Sequence, residues 1–393
     1  MSRDYYCNYK FKFLRIDAVN KVTLSCCATK SVPIDFARIK DHPGDIFNIP
    51  EDVSDRQKML RNERTDRCEG CWAAEDRGLV SQRLTYNATE KTHTEINTYP
   101  EILEILLTRD CNCACSYCCR EYSTLWSKEL KEHGDYKFTY FDEPRFAQQS
   151  RDYEEYQKQK NIIKSEDQVL LDGEILSLIP HAKKIIITGG EPLLNNFLDK
   201  IITLANNNPN VESIQISTGL NSSLSRFTQF LDLLKTNDKI SLRVSVENVG
   251  KFSEFNRYGI SWDTTQDRLN RLISNNINFV FRCTVSNLTL INFLEFYKQY
   301  KNHQMLVMFV QHPPFMNIGI LDQETKDNIR KDMGELPADI QQSILSGLEY
   351  EPTEEDRVTL KEFLLEYVKR RRDLTLNIYP KSFLNWLEIN DSI

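Results

Sequence analysis

Six short apolar runs punctuate the middle of the chain, and amphipathic stretches separate them. The runs are EILEILLTRD, with a strand from Ile102 to Thr108, KKIIITGG around Ile186, VESIQISTG around Ile214, ISLRVSVEN around Val244, INFVFRCTVS around Val280 and MLVMFVQ around Phe309. Between them, LLNNFLDKIITLA after Pro192, SRFTQFLDLLK, TQDRLNRLIS and LINFLEFYKQY place apolar residues every three or four positions, which predicts helices. Alternation of this kind predicts an α/β fold, a parallel sheet with helical crossovers, and six units fit a partial (β/α)6 barrel of the TIM type. In such a barrel, functional groups collect on the loops after strand C-termini. The cysteine-rich segment follows the first strand, GGEP the second, STGLN the third and SVEN the fourth.

Three segments are expected. Residues 1–97 lack the strand–helix rhythm and make a small cysteine-rich domain, in which FKFLRIDAVNKVTLSCC reads as two strands around an Asn-containing turn. Residues 98–320 make the barrel, with an insertion at about 128–164 that is long for a loop. Residues 321–393 make a C-terminal helical extension. Its KRR run, from Lys369 to Arg372, reads as a solvated helix terminus favoured by the helix dipole.

The 393 residues are enough for at least one large core. No run of about eighteen apolar residues occurs, and MSRDYYCNYK carries charge and a cysteine where a signal peptide needs an apolar core. A cytoplasmic protein with no membrane partner is expected. The net charge of −7, with both signs interspersed, disfavours a nucleic-acid partner. Eleven cysteines without an export signal point to metal or redox chemistry rather than disulfides.

After the first strand comes Cys111-Asn-Cys-Ala-Cys115-Ser-Tyr-Cys118, a CxxxCxxC spacing. Three thiolates suit a four-iron four-sulfur cluster and leave one iron open for chemistry; a zinc site or unligated buried thiols are the alternatives. In Thr188-Gly189-Gly190-Glu191-Pro192, two glycines let a ligand approach the backbone and Glu191 can accept from a ligand ammonium. The same turn could simply end a strand, with Pro192 opening a helix.

Together, the CxxxCxxC loop with Tyr117 before its last cysteine, and GGEP after the second strand, resemble the radical S-adenosylmethionine (SAM) superfamily over roughly residues 101–320. The resemblance implies that Cys111, Cys115 and Cys118 hold a 4Fe-4S cluster, whose open iron SAM chelates, while Gly189, Gly190 and Glu191 hold the SAM ammonium. It further implies SAM contacts from Tyr117, Ser217, Thr218, Ser245, Glu247, Arg257 and Arg282, each with an ordinary structural role as the alternative. Cys113 and Cys119 are expected to be inert neighbours, and Cys283 a buried structural thiol.

Cys7 and Cys26, followed by the CxxC of Cys68 and Cys71, supply four thiolates, enough for zinc or for a fully ligated cluster. A hairpin with cysteines followed by CxxC resembles the twitch domain, the shortened form of SPASM, which implies a second, auxiliary 4Fe-4S cluster. Its place ahead of the barrel is a permuted order. The usual turn glycine is replaced by Asn20 nearby, so Cys26 or Cys27 could be the ligand, with Cys26 favoured.

The expected function is therefore that of a radical SAM enzyme of oxidoreductase type, served by an external one-electron reductant of flavodoxin or ferredoxin type. Its substrate is expected to be a peptide or protein that is oxidised, crosslinked or epimerised at an unactivated carbon. Because the chain begins almost directly at Cys7, no leader-recognition domain is expected ahead of it. The alternatives are a dehydrogenase of a small sugar or amino-sugar alcohol, and a non-catalytic iron–sulfur or zinc protein. No catalytic acid or base stands out.

Overall fold

A computed structural model describes residues 5–26, 29–42, 44–88, 95–140, 146 and 165–389. The strands among the described residues are β1 (Phe13–Asp17), β2 (Val22–Leu24), β3 (Val32–Pro33), β4 (Ile102–Leu106), β5 (Ala114–Cys115), β6 (Lys184–Thr188), β7 (Ser213–Thr218), β8 (Ile240–Val244), β9 (Arg257–Tyr258), β10 (Phe279–Val285) and β11 (Met305–Phe309). The chain divides into two compact units. One comprises Met1–Thr108, Glu155–Ser217 and Thr236–Ser241, the other Arg109–Glu154, Thr218–Lys235 and Leu242–Ile393.

In the first unit β4 pairs parallel with β6, from Ile102↔Lys184 to Leu106↔Thr188, and β6 pairs parallel with β7. Leu103, Ile105, Ile185, Ile187, Ile214 and Ile216 are all fully buried. Burial of each such side chain is worth roughly 1.5–3 kcal/mol, and near-continuous apolar composition is what a sheet covered on both faces requires. On the other side of β4 lies β1, parallel to it from Phe13↔Ile102 to Asp17↔Leu106. The expected N-terminal hairpin is present: β1 pairs antiparallel with β2, and β2 with β3. Its turn is organised by Asp17, whose carboxylate accepts from the amides of Val19 (3.0 Å) and Asn20 (2.7 Å) and from the Asn20 side chain (2.8 Å). Lys21 then takes the left-handed conformation at φ +56° where a glycine would be usual.

In the second unit β10 pairs parallel with both β8 and β11. The strands β7 and β8 each begin in the first unit and end in the second. They are bonded to each other at both ends, by Ile214 N to Lys239 O (2.8 Å) and by Ser245 N to Thr218 O (2.9 Å). The expected order of six parallel strands, β4, β6, β7, β8, β10 and β11, is thus observed, as a partial barrel. Helices connect the strands as their periodicity predicts. Phe197–Asn206 buries Leu198, Ile201, Ile202 and Ala205; Leu224–Lys235 buries Phe227, Phe230, Leu231 and Leu234.

Of the expected insertion, residues 141–145 and 147–164 lie outside the described residues. Its first part belongs to the helix Thr124–His133, and Phe146 is fully buried against Trp126, Phe315 and Phe363. The C-terminal helix Glu354–Arg370 starts at a capping box made by Thr353 and Asp356. The KRR run that follows corrects the sequence reading. Arg370 and Arg371 are 2% and 1% exposed at their side chains, and Arg371 pairs with Glu129 at 2.6 Å. Burial is sustained because a buried carboxylate and stacked aromatic rings replace the water those cations would lose. Among the described residues, no helix is long and apolar enough to cross a membrane.

Replacing Asp17 by alanine removes three hydrogen bonds from the β1–β2 turn. It is expected to cost about 1–2 kcal/mol, read as an earlier midpoint in urea unfolding, with little change in helix content.

Candidate active site

The cysteine loop of the second unit has little regular structure, so its backbone is held by specific partners. Its β5 pairs antiparallel with β9, Ala114 opposite Tyr258 and Cys115 opposite Arg257. Gly259, at φ +104°, closes that bridge against Asn112; a Cβ there would overlap the Asn112 carbonyl oxygen. The Thr124 hydroxyl accepts from Cys111 N (3.1 Å) and donates to Cys111 O (3.0 Å). Ser123 Oγ donates to Cys113 O (2.5 Å) while capping the helix Thr124–His133. Trp126 Nε1 donates to Cys115 O (2.9 Å), and Ser116 N to Asn256 O (2.8 Å).

The Cys113 thiol meets those of Cys111 and Cys115, and Cys118 meets Cys119. Contact with Cys111, and then burial, pushes the Cys113 thiol up to about 12 against the pull of Cys115. Contact with Cys113 and burial raise Cys115; contact with Cys119 and burial raise Cys118. Asn221 Nδ2 reaches Cys113 Sγ and Gly259 O, each at 3.1 Å. Among the described residues no three His, Cys, Asp or Glu side chains converge on a point that would hold one metal ion. A cubic cluster makes a different demand, since each cysteine binds a separate iron, so three thiols on one backbone-locked loop fit it without converging.

Three of the residues singled out above form a buried network in this unit. Tyr117 Oη donates to Glu247 Oε1 (2.6 Å) and accepts from Arg257 Nη1 (2.7 Å), and Arg257 lies 3.7 Å from Glu247 Oε2. Glu247 is 0% exposed, and its Oε2 has no hydrogen-bond partner among the described residues. Burial raises the Glu247 carboxyl, and Arg257 opposes that rise. Around the network runs a seam of amides that the sequence reading missed: Asn256 Nδ2 donates to Asn248 Oδ1 (3.2 Å), and Asn248 Nδ2 to Thr289 O (2.7 Å). The signal for it was the asparagines in SVEN and EFNRYG. Thr218 Oγ1 accepts from Leu220 N (2.8 Å), and Ser245 bonds Thr218 through its backbone. Arg282 lies on β10, its guanidinium 3.8 Å from the Met308 sulfur, and buried Cys283 donates to Val246 O (3.2 Å).

In the first unit, the GGEP turn follows β6. Gly189, at φ +136°, lies so close to the end of β4 that a Cβ would fall 2.5 Å from Thr108 O, and Gly190 N donates to that same oxygen (2.6 Å). Glu191 is 2% exposed, and its Oε1 accepts from Leu193 N (3.2 Å), capping the short helix Pro192–Leu194. Thr188 Oγ1 is buried without a hydrogen-bond partner among the described residues. Ser217 is half-buried near the end of β7.

The same unit brings Cys7, Cys68 and Cys71 near one another. Cys7 and Cys68 share one apolar cluster with Tyr6, Phe11, Met59 and Trp72. Burial pushes the Cys7 thiol up to about 11, with Cys68 and Cys71 adding to the rise. Cys68 and Cys71 stand at the start of the helix Glu69–Glu75. Cys26 O accepts from Thr29 N (3.3 Å), and the Thr29 hydroxyl donates to the carbonyl of Arg67, the residue before Cys68 (3.0 Å). Cys27 lies outside the described residues. Beside these thiols, fully buried Lys10 pairs with Asp55 at 2.5 Å, and Arg67 pairs with Asp52 and Asp55 at 2.6 and 3.1 Å. The charge of Lys10 pulls the Cys68 thiol down, against the burial that raises it.

Residues 105–299 match the radical SAM superfamily. No curated protein matches the chain. Among solved structures, the chain is similar to polyhistidine-tagged anSMEcpe with bound AdoMet, at 14% identity and a TM-score of 0.38 over 59% of this chain and 58% of that one. It is similar to Streptococcus suis SuiB bound to S-adenosylmethionine, at 13% identity and a TM-score of 0.36 over 90% and 77%. It is also similar to TYW1 with a lysine-pyruvate adduct bound, at 16% identity and a TM-score of 0.31 over 58% and 70%. The chain thus spans less than two thirds of the length of anSMEcpe.

Gly259→Ala is expected to push a methyl group into the Asn112 carbonyl and to cost about 2 kcal/mol or more, because both the contact and the positive φ are backbone constraints. Urea unfolding followed by tryptophan fluorescence would register the loss.

Proposed function

Since the chain is a member of the radical SAM superfamily through residues 105–299, we propose that it is an enzyme that cleaves SAM reductively and removes a hydrogen atom from an unactivated carbon of a peptide or protein substrate. The observation that carries this reading is the loop of Cys111, Cys115 and Cys118, immobilised by the β5–β9 bridge directly after the first barrel strand. A 4Fe-4S cluster held by these cysteines would supply the electron for reductive cleavage of SAM, whose product would be the hydrogen-abstracting species.

The chain's own residues bind and orient. Cys111, Cys115 and Cys118 would hold the cluster as thiolates, since only the deprotonated sulfur ligates iron. Gly189 and Gly190 offer backbone that no side chain shields, and Glu191 offers a carboxylate for the SAM ammonium. Tyr117, Glu247 and Arg257 act as one unit, in which the arginine compensates a carboxylate that would otherwise be a buried lone charge. Ser217, Thr218, Ser245 and Arg282 complete the assignment of SAM contacts. Cys7, Cys26, Cys68 and Cys71 hold an auxiliary 4Fe-4S cluster. The shared apolar cluster of Cys7 and Cys68 and the mutual influence of Cys7, Cys68 and Cys71 support it. Held there, that cluster would either take up the electron left on the substrate radical or shape the substrate pocket, and a flavodoxin or ferredoxin would supply the reducing electron for SAM cleavage.

Anaerobic reconstitution followed by reduction in the presence of SAM is expected to give 5′-deoxyadenosine, quantified by mass spectrometry. Cys115→Ala is expected to give no more than the control without reductant; equal yields from variant and wild type would sink the assignment. Cys68→Ala is expected to keep SAM cleavage and lose iron, about four atoms per chain, the content of one cubic cluster. Unchanged iron in that variant would remove the auxiliary cluster from the reading.

A further inference from the structure

The second unit contains a device outside every group assigned above, on the helix Glu354–Arg370 and the residue after it. Tyr367 is fully buried, and its hydroxyl lies 3.0 Å from two carbonyl oxygens, those of Ala114 and Phe255. Ala114 belongs to β5, next to Cys115; Phe255 stands two residues before Arg257 of β9. A single hydroxyl hydrogen is therefore shared between the two segments that form the bridge. One turn on, the Arg371 guanidinium lies 3.5 Å from the centre of the Tyr367 ring, 4.8 Å from that of Trp126 and 4.9 Å from that of Tyr258. Trp126 is the residue whose indole nitrogen donates to Cys115 O, and Tyr258 is the partner of Ala114 in the bridge. Glu129 neutralises the cation at 2.6 Å.

Two paths thus run from this helix to the two backbone sites that fix Cys115. One goes through the Tyr367 hydroxyl to Ala114. The other goes through the Arg371 stack to Trp126. None of these side chains is among the proposed ligands of cluster or SAM.

We propose that Tyr367 is a positioning residue that, with Arg371 and Trp126, wedges the cysteine loop from behind and sets the geometry in which the Cys115 thiol is presented. The wedge itself is a property of the protein alone; its effect on a cluster rests on the radical SAM reading. Tyr367→Phe deletes the shared hydrogen and keeps the ring that Arg371 stacks on. Arg371→Met keeps bulk and deletes the cation. Lys369→Ala, on the exposed face of the same helix, is the control.

Two measurements test this. In metal-free protein, hydrogen exchange is expected to quicken about tenfold at the amides of Ser116 and Cys118 in both wedge variants, and to stay unchanged along β10 and in Lys369→Ala; loss of one net hydrogen bond has this size. In reconstituted protein, the same variants are expected to keep wild-type iron content, to shift the electron paramagnetic resonance signal of the reduced cluster, and to weaken SAM binding about fivefold, again the scale of one hydrogen bond. A uniform rise in exchange across the unit would mean general destabilisation and would overturn the proposal. So would a cluster signal and SAM affinity equal to wild type in both variants. Should Tyr367→Phe fail to fold, Arg371→Met alone decides by the same criteria. A wild-type protein that assembles no cluster would defeat the functional reading, and the exchange measurement would still decide whether Tyr367 holds the loop.

Discussion

The chemistry proposed for this protein depends on a constraint of backbone geometry: a loop with five cysteines in nine residues must hold its sulfurs still without help from a helix or a long strand. The bridge of β5 and β9 is only two residues long on each side, and it closes because Gly259 has no side chain to meet Asn112. Around it Ser123, Thr124, Trp126 and Asn256 each satisfy a loop backbone group. Any one of these bonds is worth only about 0.5–1.5 kcal/mol net, so order in the loop comes from their number and from the cost of leaving any of them unmade.

The GGEP turn and the Tyr117 network answer two different packing demands, the first steric and the second electrostatic. At Gly189 the structure removes bulk, so that two stretches of backbone can touch. At Glu247 it inserts charge into the interior and compensates it with Arg257 through a tyrosine hydroxyl. The first arrangement is nearly free of electrostatic risk; the second is stable only as a complete set, because loss of one partner strands a buried ion.

Elements set by local pattern were legible in the sequence. The six parallel strands follow from apolar runs, the crossover helices from three-to-four spacing, and the N-terminal hairpin from two short runs around a turn. What escaped notice was set by residues distant in the chain. Tyr117 and Glu247 were each singled out alone, but their hydrogen bond joins positions 130 apart, and no local pattern encodes it. Asn221 and Gly259 matter because of what the loop after β4 brings next to them. The Lys369–Arg372 run was misjudged for the same reason. A basic helix end normally meets water, and only the rings of Trp126, Tyr258 and Tyr367 make Arg371 an interior residue.

The set of Lys10, Asp52, Asp55 and Arg67 limits how this part of the chain can diverge. Lys10 and half-buried Arg67 pair with Asp52 and Asp55, and the fully buried Arg56 guanidinium also feels both carboxylates, so a neutral replacement of either aspartate strands cations away from solvent. Drift at these positions should therefore be correlated rather than independent, with changes accepted in pairs that preserve the local charge.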